Sequence, residues 1–121
     1  MKSLFKKACI ASDHAGFQLK ENIKDFLINK NITIIDLGPI NEDSVDYPDY
    51  AKKVSNRIKL SKSDVGILVC GSGTGMAISA NKTKKIRAAV CYNLKSTRLS
   101  RQHNNANIIA IGSRLTKKIL P

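Results

Sequence analysis

The residues of this sequence best suited to chemistry are a cysteine and three glycines, in the stretch LVCGSGTGMA. Cys70 ends an apolar run and is followed by Gly71, Gly73 and Gly75. Glycines at alternate positions let successive backbone N–H groups point at one anion, and a following helix adds the positive end of its dipole. The N-terminus of a helix also lowers the pKa of a nearby thiol. The stretch therefore predicts a reactive thiol beside an anion pocket, a nucleotide phosphate loop, or only a tight turn.

The glycine spacing disfavours the nucleotide loop. A dinucleotide fingerprint, GxGxxG, needs glycine at position 76, where this chain has Met76. No lysine follows the loop in the manner of a Walker phosphate loop. The anion pocket and the plain turn both remain possible interpretations, because either needs only small residues after a buried strand.

The other cysteines and the two histidines are isolated in the sequence. Cys9 and Cys91 lie within predicted strands, where a packed and inert thiol is expected. No CxxC pair occurs, so neither a disulfide framework nor a zinc site is predicted. His14 follows Asp13 at a strand end, and His103 lies in the polar run SRQHNN. Each histidine is either a site residue or a solvated one, and the fold must assemble any site that contains both.

Apolar runs and helical patterns alternate along the chain and must position these residues. Strands are predicted at 8–12, 32–38, 65–70, 87–92 and 107–113, and helices at 16–30, from 48 to about 58, at about 75–82 and at 93–105. The run VGILVC is continuously apolar, as in a parallel strand covered on both faces. The alternation predicts a single α/β domain with one open, mostly parallel sheet and helices on both faces.

In such sheets ligands bind beyond the carboxyl ends of the strands, where the strand order reverses. The candidate positions are therefore the residues just after each strand, namely Asp13, His14, Gly38, the run from Cys70 to Gly75, Tyr92, Asn93 and Arg114.

The charge of the chain is strongly basic and unevenly distributed. The 121 residues carry a net charge of +12, and all nine acidic residues lie at or before Asp64. This asymmetry favours anionic partners such as phosphorylated metabolites, nucleic acid or an acidic protein, although a lysine-rich proteome would give the same composition. Dispersed lysines and few aromatic residues disfavour nucleic acid. No membrane span or secretory signal is predicted, so we expect a soluble cytoplasmic protein without a membrane partner.

Five motifs of the chain together resemble ribose-5-phosphate isomerase B. They are SDHAGFQLKE (12–21), DYPDYA (46–51), CGSGTGMAISANK (70–82), IRAAVC (86–91) and SRQHNNANIIAIGSR (100–114). The family also includes galactose-6-phosphate and allose-6-phosphate isomerases, and the resemblance covers nearly the whole chain. It implies a Rossmann-like three-layer α/β/α sandwich with a five-stranded sheet. It also implies a metal-free aldose–ketose isomerase without a cofactor, acting on a sugar phosphate as a homodimer or homotetramer with active sites at the subunit interface.

The resemblance also implies roles for individual residues. Cys70 would be the base that moves a proton between C1 and C2, and Ser72 and His103 would assist ring opening. The enediolate would be stabilised by the backbone N–H groups of Gly71, Ser72, Gly73, Thr74 and Gly75. The remaining substrate contacts, to sugar hydroxyls or phosphate, would come from Asp13, His14, Tyr47, Asn104 and Arg114.

The chain also departs from the family pattern. Some family members lack the cysteine and carry a glutamate immediately after the third glycine instead; this chain has Met76 there, so Cys70 has no evident substitute. Retention of the DH, CGSG and RQHNN motifs favours the pentose enzyme over the galactose-6-phosphate type. Relatives usually continue beyond the GSR segment into a helix and a basic tail with two phosphate-binding arginines, which we expect this chain to lack. The alternative is a weakly active or inactive homologue that binds phosphate or nucleotide.

Overall fold

A computed structural model describes residues 6–41, 43 and 46–114. Strands and helices alternate throughout, as predicted. The elements are β1 (Lys7–Ser12), α1 (Phe17–Asn29), β2 (Thr33–Asp36), α2 (Tyr47–Lys59), β3 (Val65–Cys70), α3 (Thr74–Ala80), β4 (Ala88–Cys91), α4 (Leu94–Asn104) and β5 (Ile108–Gly112). Within this part of the chain, no helix is long and apolar enough to cross a membrane.

The strands form one parallel five-stranded sheet in the order β2-β1-β3-β5-β4. Ser12 at the end of β1 pairs with Val69, and Cys70 at the end of β3 pairs with Gly112 of β5. The carboxyl ends of these three central strands therefore lie side by side. From β1 the chain runs to β2 on one side and then to β3 on the other, which makes the β1–β3 junction the switch point where ligands bind.

The two faces of the sheet carry separate apolar cores, so the predicted three-layer α/β/α architecture is confirmed. On one face Val54 of α2 and Met76 of α3 pack on Leu68 and other strand residues. On the opposite face Ile23 of α1 packs on Ile10 and further apolar side chains. Burying each such side chain contributes about 1.5–3 kcal/mol. These cores hold the strand ends in fixed relative positions.

Helix boundaries follow from local hydrogen bonds. The Asn93 side chain accepts a hydrogen bond from the Ser96 N–H at 2.8 Å and begins α4 as a capping box. The third helix ends at Ala80, two residues before the predicted end. The Asn81 side chain instead bridges the main chain of Ala88, accepting from its N–H at 2.7 Å and donating to its carbonyl at 3.0 Å. This bridge ties the end of α3 to β4.

Candidate active site

An open cleft of about 390 Å³ lies at the carboxyl edge of the sheet, at the β1–β3 switch point. This volume suits a small metabolite. The residues that line the cleft come from the ends of three strands and the starts of two helices, and they are Asp13, Tyr47, Cys70, Gly71, Ser72, Gly75 and Arg114.

The Cys70 thiol is held under the glycine loop. Its Sγ accepts a hydrogen bond from the Gly73 N–H at 3.0 Å, and the residue is 5% exposed. Gly73 has a φ of +83°, and a Cβ there would lie 3.1 Å from the backbone nitrogen of Gly112. Only glycine combines this left-handed conformation with such close approach to a neighbouring strand. The loop thus aims a backbone donor at the sulfur.

The loop is fastened to the end of β5, which positions Arg114. The Ser113 N–H donates to the Cys70 carbonyl at 2.7 Å, and the Arg114 N–H donates to the Gly71 carbonyl at 3.0 Å. A Cβ on Gly71 would lie 2.8 Å from Nη1 of Arg114, so the guanidinium lies directly against the loop. These contacts place an exposed cation beside the thiol, at one wall of the cleft.

Asp13 and Tyr47 also line the cleft. The Asp13 N–H donates to the Val69 carbonyl at 3.1 Å, and Asp13 Oδ1 accepts from the Gly16 N–H at 2.9 Å. Tyr47 begins α2, and a Cβ on Gly75 would lie 3.1 Å from its ring. The helix start therefore brings a phenol over the glycine loop.

Five of the predicted site residues do not line this cleft. Two of them, Gly73 and Thr74, lie in the glycine loop itself, where their N–H groups donate to Cys70 Sγ and Ser72 Oγ. His14 follows Asp13 and is exposed. His103 and Asn104 lie at the end of α4, where the Asn104 carbonyl accepts from Arg87 Nε at 2.6 Å. This helix end is at the amino edge of the sheet, and the length of β5, about 13 Å, separates it from the cleft. Within one chain, His103 and Asn104 do not meet Cys70.

Two positions that the sequence reasoning did not single out also shape the cleft. A Cβ on Gly16 would lie 2.4 Å from the Val69 carbonyl oxygen, and one on Gly112 would lie 2.5 Å from the Ser72 carbonyl oxygen. Both glycines let a strand-end loop pack directly on a neighbouring backbone. The sequence feature that could have indicated both positions is a glycine close to the end of a predicted strand.

The remaining cysteines are packed in the sheet. Cys9 and Cys91 are fully buried and have free thiols, and burial raises the pKa of the Cys9 thiol. Across the described residues, no three His, Cys, Asp or Glu side chains are grouped as a metal site would require.

Comparisons with known proteins identify relatives of this chain. A family model described as Ribose/Galactose Isomerase matches residues 8–120. The chain is 44% identical over 110 residues to ribose-5-phosphate isomerase B of Escherichia coli, covering 91% of this chain and 74% of that protein.

Solved structures are also similar. A ribose 5-phosphate isomerase from Thermotoga maritima has a TM-score of 0.91 and 50% identity, covering 95% of this chain and 79% of that one. Ribose-5-phosphate isomerase B from Mycoplasma genitalium with bound ribulose-5-phosphate has a TM-score of 0.87 and 42% identity, covering 92% of this chain and 74% of that one. The chain therefore belongs to the ribose/galactose isomerase family of enzymes.

Proposed function

We propose that this chain interconverts ribose 5-phosphate and ribulose 5-phosphate, with Cys70 as the base. The observation that carries the proposal is the hydrogen bond from the Gly73 N–H to Cys70 Sγ at 3.0 Å, at the wall of a cleft of metabolite size. The names of the Escherichia coli relative and of the ribulose-5-phosphate complex from Mycoplasma genitalium support the choice of a pentose phosphate.

The reaction moves one proton between neighbouring carbons. In the open-chain aldose, the Cys70 thiolate removes the proton on C2, the electron pair forms a C1–C2 double bond, and the C1 oxygen becomes an oxyanion. The thiol then returns its proton to C1, while the proton of the C2 hydroxyl passes to the C1 oxygen and leaves a carbonyl at C2. A positioned base of this kind contributes about 10²- to 10⁴-fold in rate.

The glycine loop stabilises the charge that forms on the enediolate. The loop is fixed before the reaction by hydrogen bonds from the residues that follow β5 to the Cys70 and Gly71 carbonyls. The Gly73 N–H already donates to Cys70 Sγ and the Thr74 N–H to Ser72 Oγ, which leaves the N–H groups of Gly71, Ser72 and Gly75 for the oxyanion. Preorganised donors of this type are worth about 10²- to 10³-fold each. No metal ion or cofactor is needed in this scheme, because the thiol and the backbone supply the base and the electrophile.

The substrate would be held by side chains that line the cleft. The Arg114 guanidinium is the cation beside the loop, and it suits the phosphate. Asp13, Tyr47 and Ser72 line the same cleft and suit the sugar hydroxyls. His14 follows Asp13 and is exposed, and it suits a further contact to the sugar.

His103 and Asn104 would be supplied by a second copy of the chain. Both are exposed at the amino edge of the sheet and about 13 Å of strand from their own cleft. A homodimer or homotetramer with sites at the interface would place them against the partner's Cys70. We also propose a cytoplasmic location, since the three cysteines are free thiols, as in a reducing compartment.

Turnover by the unsubstituted chain tests the proposed activity. We expect ribose 5-phosphate to be converted to ribulose 5-phosphate and to raise the unfolding temperature. Stabilisation by adenine nucleotides only, without turnover, would favour the phosphate- or nucleotide-binding alternative.

Mixed assemblies test the shared site. Cys70→Ala and His103→Ala variants should each be inactive alone, because each lacks one half of every site. After unfolding and refolding together, they should regain roughly one quarter of the native activity, since half of the dimers are mixed and each mixed dimer has one intact site. No recovery in a mixture shown to contain mixed dimers would contradict the shared site.

A further inference from the structure

The structure contains a fully buried lysine close behind the cleft. The Lys20 side chain, on α1, is 0% exposed. Its Nζ lies 2.9 Å from Glu21 Oε2, 2.7 Å from Asp36 Oδ2 and 5.0 Å above the centre of the Phe17 ring. A buried cation is costly and is retained only where strong partners compensate for lost hydration. Lys20 is the one charged residue that is fully buried among those described.

The two carboxylate oxygens of Asp36, a partner of Lys20, accept hydrogen bonds from different groups. Asp36 Oδ2 accepts hydrogen bonds from both Lys20 and Lys24 at 2.7 Å, and Oδ1 accepts from the Gly38 N–H at 2.8 Å. Burial would raise the pKa of Asp36, but the hydrogen bonds from Lys20, Lys24 and Gly38 hold it below its ordinary value. The carboxylate therefore stays ionised and clamps the turn that follows β2.

That turn contacts the two elements that carry Asp13 and Tyr47. Gly38 has a φ of +105°, and its carbonyl accepts from the Ser12 N–H at 3.1 Å, directly before Asp13. On its other side, a Cβ on Gly38 would lie 3.0 Å from the Tyr50 ring, in the first turn of the helix that begins at Tyr47. One peptide unit thus packs between the strand end that carries Asp13 and the helix start that carries Tyr47.

We propose that Lys20 is a positioning residue for the cleft, which acts through Asp36 to hold the Gly38 turn and so sets the separation of Asp13 and Tyr47. The proposal rests on the proposed function, in which these two side chains contact the substrate. The Lys20 side chain is buried between its own helix and β2 and takes no part in the chemistry.

Lys24 offers a matched control. It bonds the same two carboxylates, at 2.7 Å to Asp36 and 3.4 Å to Glu21, but its side chain is 23% exposed. Water competes for an exposed pair, so its loss costs little. Lys20→Met keeps the length of an apolar chain in the buried site, and Lys24 still neutralises both carboxylates. The fold should therefore survive either substitution.

The experiment compares kcat/KM for Lys20→Met, Lys24→Met, Asp36→Ala and the double variant Lys20→Met/Asp36→Ala. We expect Lys20→Met and Asp36→Ala each to lose about 10- to 100-fold, as a small misplacement of binding groups does. The double variant should lose no more than Asp36→Ala, because Lys20 acts through that carboxylate. Lys24→Met should stay within about threefold of the unsubstituted chain.

Amide hydrogen exchange gives a readout that is independent of activity. The Gly38 amide should exchange at least about tenfold faster in Lys20→Met than in Lys24→Met. Equal protection of Gly38 in the two variants, or full kcat/KM of folded Lys20→Met with only a lower unfolding temperature, would overturn the proposal. Should Lys20→Met fail to fold, Asp36→Ala tests the same link, and full activity of that variant would also overturn it.

Failure of this inference is distinguishable from failure of the proposed function. If the unsubstituted chain does not isomerise ribose 5-phosphate, the proposed function fails. The exchange rates of Gly38 then still decide whether Lys20 holds the turn.

Discussion

Alanine at position 73 should damage both the stability and the chemistry of this protein. Gly73 has a φ of +83°, and a Cβ there would lie 3.1 Å from the Gly112 nitrogen, 3.2 Å from the Ile111 carbonyl carbon and 3.3 Å from the Ala110 oxygen. All three neighbours are backbone atoms of β5, which cannot turn aside as a side chain can. The new methyl group must therefore push the loop away from the strand.

The expected losses in stability and in kcat have separate causes. Holding an L residue in the left-handed region costs about 1–2 kcal/mol. For a domain of this size that lowers the unfolding temperature by roughly 3–10 °C. The displaced Gly73 N–H also loses its 3.0 Å hydrogen bond to Cys70 Sγ, so kcat should fall about tenfold or more, as for a lost bond to a charged group.

Alanine at position 71 is the matched control, in the same loop. A Cβ there would lie 2.8 Å from Nη1 of Arg114, 3.1 Å from Cζ and 3.4 Å from Cδ, all atoms of one exposed side chain. That side chain can move at little cost in stability, but it then leaves the phosphate position. We expect KM to rise about tenfold with kcat and the unfolding temperature nearly unchanged.

Thermal unfolding followed by circular dichroism, with kcat and KM for ribose 5-phosphate on the same samples, checks both variants. A native unfolding temperature together with native kcat in Gly73→Ala would contradict this prediction. Lower stability of Gly71→Ala than of Gly73→Ala would contradict it as well.

Two further predictions concern ionisation. The free energy of unfolding should fall as pH drops below about 4. The hydrogen bond from Lys20 lowers the pKa of Glu21 from its ordinary value of 4.5. Burial would raise the pKa of Asp36, but hydrogen bonds from Lys20 and Lys24 outweigh it and lower that pKa from 3.8. The stabilisation by these two carboxylates is fully present above their ordinary pKa values and is lost as pH falls through their lowered pKa values in the folded protein. Urea unfolding at pH 6 and pH 3 checks this prediction, and equal stability at the two pH values would contradict it. Iodoacetamide at neutral pH should modify Cys70 before Cys9, which is fully buried and has a raised pKa; peptide mapping that found Cys9 modified first would refute the assignment.

The elements of the fold could be predicted because each strand is a short apolar run between polar turns. VGILVC predicted β3 at its observed bounds, Val65–Cys70. The end of α3 could not be predicted from the sequence, because it depends on hydrogen bonds between the Asn81 side chain and Ala88, a residue of the next strand. The strand order was also out of reach, since it depends on pairing between segments distant in the sequence.

The site was only partly predictable for the same reason. Cys70, Asp13 and Arg114 were expected at strand ends, and they line one cleft because β1, β3 and β5 are neighbours. Tyr92 and Asn93 also follow a strand, but β4 is the far edge strand, and β5 separates it from β3. Tyr47 follows no strand and was indicated by family resemblance alone. The buried Lys20 gave no signal, because a lysine in an amphipathic helix is ordinarily solvated.

The most direct test of the central claim is ribulose 5-phosphate formation by Cys70→Ala. Its control is Cys91→Ala, which removes another buried strand thiol that lies outside the cleft. We expect Cys70→Ala to lose at least about 10²-fold in kcat while its unfolding temperature stays near that of the control, and we expect Cys91→Ala to remain active. Native turnover by folded Cys70→Ala would contradict the assignment of Cys70 as the base.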